Sequence, residues 1–197
     1  MTKILVILLM TGGLAWSQDF EYVGSRKCKI CHSSSKKGAQ YKVWEASAHA
    51  GAFEVLKTEE AAEIARGIKL EGPAHEAPEC LVCHTTGYDS GGYEVKDEAF
   101  WNPDPEDRKA RKAVRRMEGL QAVGCEACHG PGSAYKSKST MEEIHEGTLD
   151  RAEVGLLMPD EETCLGCHNE KSPTFKGFKF DEFLEQIAHP YPPDMDE

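Results

Sequence analysis

The chain has 197 residues, 8% aromatic and 29% charged, and its 34 acidic against 23 basic side chains give a formal net charge of −11. So acidic a balance excludes nucleic acid as a partner, since the phosphate backbone would repel it. So few aromatic residues are lean for an apolar core, and something other than side chains is expected to fill the interior.

Residues 1–17 read as a secretory signal: Lys3 is the charged start, Ile4 to Met10 the apolar run, and Ala15-Trp16-Ser17 the small-x-small cleavage site. That run is too short to span a bilayer. No cysteine precedes Cys28 to carry a lipid, and no later stretch is apolar for long enough to anchor the protein. The mature chain, residues 18–197, is expected to be one domain in the periplasm or outside the cell.

The first cysteine pair, Cys28 and Cys31, is followed at once by His32. Next comes a helix-like run over about 38–57, in which His49, Ala52, Phe53 and Leu56 share a face. The small residues around His49 leave room for a flat group to approach. A second helix is predicted over about 59–68. His75 falls in the Gly- and Pro-containing segment Glu71 to Glu79 and reads first as a surface histidine, although the chain can carry it to the nearby second pair. That pair is Cys80 and Cys83, followed by His84. A loop over Thr85 to Tyr93 holds a possible short hairpin at Gly91-Gly92.

A helix is predicted over about 105–118, with Asp104 as cap and Pro105 in the first position. Its Arg108, Arg111, Lys112 and Arg115 crowd one side of an otherwise acidic protein, which suits the carboxylates of a bound group or an acidic partner as well as plain solvent. The third pair, Cys125 and Cys128, precedes His129 and a Gly130-Pro131-Gly132 turn. His145 follows a polar stretch, and the fourth pair, Cys164 and Cys167, precedes His168. A last amphipathic helix over about 179–189 ends at His189, with Pro190 just beyond.

All eight cysteines are therefore used in four C-x-x-C-H motifs. Two thiols one helical turn apart add to the two vinyl groups of one porphyrin, and the adjacent histidine then lies under the iron. An exported chain with paired cysteines would by default form disulfides, and paired C-x-x-C units also build zinc sites. Neither needs a histidine directly after every second cysteine. The pattern predicts four covalently bound haem c groups, with His32, His84, His129 and His168 as proximal ligands. His49, His145, His189 and His75 remain as candidate distal ligands. Histidine on both faces suits electron transfer, whereas a vacant face lets an iron bind a small molecule. The expected fold is mainly α, compact, with short helices and long loops packed around the haems.

The order Tyr22-Val23-Gly24-Ser25-Arg26-Lys27-Cys28-x-x-Cys31-His32, then Trp44-(x)4-His49-Ala50, then Gly124-Cys125-Glu126-Ala127-Cys128-His129-Gly130-Pro131-Gly132 resembles the tetrahaem cytochrome c-554 family. The likeness runs over nearly the whole mature chain. It implies a periplasmic carrier of single electrons between redox partners, not an enzyme. It also implies the ligand pairs His32 with His145, His129 with His189, and His168 with His49. The haem of His84 is then the one with an open distal side, unless His75 reaches it. Two further functions stay open: binding or reduction of a small nitrogen oxide at the His84 haem, and assembly into an extracellular haem filament.

Overall fold

Short polar side chains decide where the helices of this chain begin. The computed structural model describes residues 20–189, and the signal expected over residues 1–17 lies outside them. The described residues form α1 (Arg26–His32), α2 (Gln40–Glu45), α3 (Glu59–Gly67), α4 (Pro78–His84), α5 (Glu98–Trp101), α6 (Arg108–Glu118), α7 (Cys125–His129), α8 (Lys138–His145), α9 (Glu161–Leu165) and α10 (Phe180–Ile187), with 3-10 turns between several of them. No strand occurs among the described residues, so the class is mainly α as expected.

Thr58 accepts the N–H of Ala61 at 3.3 Å to start α3, and Asp97 accepts that of Phe100 at 2.9 Å to start α5. Asp160 and Thr163 cap α9 reciprocally. Each such cap is worth about 1 kcal/mol.

Three predicted elements differ in detail. The helix expected over 38–57 is broken into α2 and two 3-10 turns, Ala48–Gly51 and Glu54–Lys57. The hydroxyl of Ser47 donates to the carbonyl of Trp44 at 2.7 Å, and this side-chain bond ends α2 in place of the next helical turn. The helix expected from 105 starts instead at Arg108, because Asp107 accepts two N–H groups, of Lys109 and Ala110, at 2.9 Å each. The Asp104 side chain accepts only the N–H of Glu106. Around Gly91-Gly92 there is a closed loop but no hairpin: the N–H of Gly92 meets the carbonyl of Gly87 at 2.9 Å and that of Tyr93 meets Thr86 at 2.9 Å.

The apolar core gathers Phe53, Leu56, Ala65, Ala74, Leu81, Tyr93, Met117 and Leu120, and so joins α3, α4 and α6. It lies entirely in the earlier part of the chain. No described residue after Tyr135 is buried, although α8, α9 and α10 are there. Those helices have no side-chain core of their own.

One segment of turns and bends, Gly119 to Gly124, holds the functional elements in register. Its Gly119 carbonyl accepts from Ser25 N–H at 3.1 Å, just before α1, and its Leu120 carbonyl from Thr86 N–H at 3.0 Å, just after α4. The N–H of Val123 donates to the carbonyl of His49 at 3.2 Å, and its carbonyl accepts from the Trp44 indole at 2.8 Å. The Thr86 hydroxyl completes the seam, donating to Ala122 at 2.7 Å and accepting from Gly124 N–H at 2.9 Å.

Candidate haem-binding sites

Helical winding brings the two thiols of each motif to one side of one turn. Site 1 (Cys28, Cys31, His32) lies in α1, site 2 (Cys80, Cys83, His84) in α4 and site 3 (Cys125, Cys128, His129) in α7. Site 4 starts in α9 with Cys164; Cys167 and His168 follow its end, their N–H groups donating to the Cys164 carbonyl at 3.1 and 2.9 Å. None of the eight cysteines is in a disulfide, and each is partly buried.

The thiols meet across sites. A hydrogen bond joins Cys28 to Cys125 and, together with burial, raises the Cys28 thiol far above the usual range. A second joins Cys83 to Cys167 and holds Cys83 at about 7. Burial, and next the neighbouring Cys164, pushes Cys128 up to about 11. Sulfurs that carry a haem have no proton to share, so what these bonds record is proximity. Site 1 adjoins site 3, site 3 adjoins site 4, and site 4 adjoins site 2.

Three of the four motif histidines present Nδ1 to an oxygen. His84 Nδ1 lies 2.5 Å from the Ala52 carbonyl, His129 Nδ1 3.0 Å from that of Leu157, and His32 Nδ1 3.4 Å from the Gln40 side chain. An oxygen acceptor on Nδ1 fixes the tautomer and leaves Nε2 free to ligate a metal. The ring of His168 is held differently, stacked on Phe178 at 4.9 Å between ring centres, with Phe183 at 5.8 Å.

Two of the outlying histidines face motif histidines across matching gaps. His49 and His168 have ring centres 6.0 Å apart, and so do His129 and His189. Two imidazoles bound to one metal ion through bonds of about 2 Å place their ring centres about 6 Å apart. Burial, and next the neighbouring histidine of the pair, lowers the pKa of His49 and of His189, and burial lowers that of His168. A neutral imidazole is the form that ligates. Free thiols, directed ring nitrogens and one-metal gaps together fit a haem iron at these positions.

The remaining two histidines are not brought into such pairs. His145 ends α8 exposed, and it makes no ring contact with His32 among the described residues. His75 sits in the 3-10 turn Ala74–Glu76, half-buried, with Nε2 3.8 Å from Glu76 Oε1. Its ring does not meet that of His84 among the described residues. One residue gains importance only in three dimensions: Glu126, within site 3, is 2% exposed and accepts backbone N–H groups from both sides of the site. The signal for it in the sequence is an acidic residue between two motif cysteines, followed by Gly-Pro-Gly.

The family model for cytochrome c554 and c-prime matches residues 27–130. The chain is 30% identical over 210 residues to the cytochrome c-554 of Nitrosomonas europaea, covering 92% of this chain and 79% of that protein. The solved structure of the reduced state of cytochrome c554 from Nitrosomonas europaea is similar as well, with a TM-score of 0.58 and 27% identity over 88% of this chain and 86% of that one.

Proposed function

Because this chain belongs to the cytochrome c-554 family of c-type cytochromes, with four covalently bound haems, we propose that it carries single electrons along a row of haem sites in the order 1, 3, 4, 2. The observations that carry this reading are the two thiol hydrogen bonds, Cys28 with Cys125 and Cys167 with Cys83, and the electrostatic influence of Cys164 on Cys128. Haem supplies one-electron exchange at iron. The cysteines of each site anchor the vinyl groups, and His32, His84, His129 and His168 bind the irons from the proximal side. His49 and His189 complete sites 4 and 3, and His145 completes site 1. With a histidine on each face, the neutral rings hold the iron against exchange for other ligands and favour electron transfer over binding chemistry.

Site 2 differs. His84 is directed by Ala52; no histidine ring faces it or His32 among the described residues, but the likeness that assigns His145 to site 1 assigns no distal histidine to site 2, so a small ligand such as nitric oxide can occupy its distal side. EPR of the oxidised protein tests both assignments. Three low-spin irons and one high-spin iron are expected, with nitric oxide binding to one haem in four. A wholly low-spin protein that binds none overturns the open site, and a mature chain lacking four haem additions by mass overturns the sites themselves.

Export directed by residues 1–17 would deliver the chain to the compartment where haem c is attached. No described helix is long and apolar enough to cross a membrane. The exchange partners are redox proteins. Arg108, Lys109, Lys112 and Arg115 of α6 are exposed and enter no ion pair among the described residues, which suits a donor or acceptor with an acidic docking face.

A further inference from the structure

Solvent reaches only 2% of Glu126, which lies between the cysteines of site 3. Its Oε1 accepts the N–H of Val23 at 2.8 Å and that of Gly132 at 2.6 Å, while Oε2 accepts that of Gly24 at 2.7 Å. Val23 and Gly24 lead into α1 and site 1; Gly132 closes the turn that leaves site 3. One side chain therefore ties the approach to site 1 to the body and exit of site 3. Its charge is felt on both sides. It adds to the bond with Cys125 and to burial in raising Cys28, and it is the next cause after burial in raising Tyr135.

A neutral amide would serve only two of the three N–H groups, since it has a single oxygen, whereas both oxygens of a carboxylate accept. A carboxylate at this depth is ordinarily ion-paired, because isolating a charge from water is costly. No ion pair among the described residues involves Glu126. The three amide dipoles lessen its field without cancelling it. The other sites have nothing like it: the residue after the first cysteine is Lys29 at site 1, Leu81 at site 2 and Leu165 at site 4.

We infer that Glu126 sets the reduction potentials of the two haems that flank it, those of sites 1 and 3, its buried negative charge favouring the oxidised iron at both. Burial and net charge near a haem are established determinants of its potential. Glu126 then lowers sites 1 and 3 relative to where they would stand without its charge, which biases the row of haems toward electron flow from α1 and α7 to α9 and α4. The inference rests on the proposed adjacency of sites 1 and 3.

The test is a redox titration of the purified four-haem protein, resolved by EPR, for the wild type and Glu126→Gln. Glutamine keeps an oxygen for two of the three N–H groups and removes the charge. Two of the four centres are expected to become about tenfold easier to reduce in equilibrium constant, which is 59 mV for one electron, while the other two stay in place. Four unchanged potentials, or an equal shift of all four, overturns the inference. A shift at one centre only supports the tuning and overturns the adjacency of sites 1 and 3. If Glu126→Gln does not take up four haems, Glu126→Asp, which keeps the charge, is expected to mature with wild-type potentials. A Glu126→Asp chain that fails to mature, or matures with two raised potentials, overturns the inference.

Discussion

His129 and Leu157 hold one another twice: the His129 ring nitrogen Nδ1 lies 3.0 Å from the Leu157 carbonyl, and the Leu157 N–H donates to the His129 carbonyl at 3.0 Å. The segment after α8 is thereby fastened to site 3, and the ring is fixed with Nε2 turned outward. Gly130 makes this approach possible. Its φ of 76° and ψ of 170° fall in a region open essentially to glycine alone, and a Cβ there would come 2.6 Å from the Gly155 carbonyl.

Gly130→Ala therefore combines backbone strain with a collision against backbone. A loss of about 1–3 kcal/mol in stability is expected from the strain alone. Thermal unfolding of the four-haem protein, followed by circular dichroism, measures it. A change within 0.5 kcal/mol would show that the clasp tolerates the extra atom.

His49→Ala removes the ring that faces His168 at 6.0 Å. One additional high-spin iron is expected in the oxidised EPR spectrum, with the covalent haem count still four. His75→Ala is expected to leave the spectrum as it was. If His75→Ala instead creates a high-spin iron, His75 and not solvent closes site 2.

Much of this was legible in the sequence because haem attachment is a local requirement. Two cysteines and a histidine within five residues name a site without any knowledge of the fold, and resemblance supplied the pairing of His49 with His168 and His129 with His189. The seam from Gly119 to Gly124 was not legible. It works through backbone bonds to Ser25, His49 and Thr86, and backbone groups carry no mark of residue type. Glu126 was hidden for a related reason, since its partners are the N–H groups of Val23, Gly24 and Gly132. The start of α6 was missed because Asp104 and Asp107 are both cap residues, and only the bonds to Lys109 and Ala110 decide between them.

That choice of cap can be weighed. Asp107→Ala removes an acceptor for two N–H groups at the start of α6 and is expected to lower stability by about 1 kcal/mol, whereas Asp104→Ala is expected to change it by less than half as much. Chemical denaturation of both variants compares them. Equal losses would place the start of the helix nearer Pro105.

Arg108→Glu and Lys112→Glu together reverse charge on the exposed side of α6. Electron exchange with an acidic redox protein is expected to slow about tenfold at low ionic strength, the difference shrinking as salt is added, because surface fields are screened within about 10 Å at 0.1 M. Stopped-flow reduction at several salt concentrations follows this. Equal rates at low salt would mean that partners meet the protein elsewhere.

The absence of buried residues after Tyr135 among the described residues has a consequence for biogenesis. The chain up to that point owns the apolar cluster around Leu81 and can collapse as it emerges, whereas α9 and α10 have only Phe178, Phe183 and the ring of His168 to gather on. Attachment of haem at site 4 is then the event that brings the C-terminal helices into place. A precursor halted before that step is expected to yield its C-terminal end to proteases sooner than the part that owns the apolar cluster around Leu81.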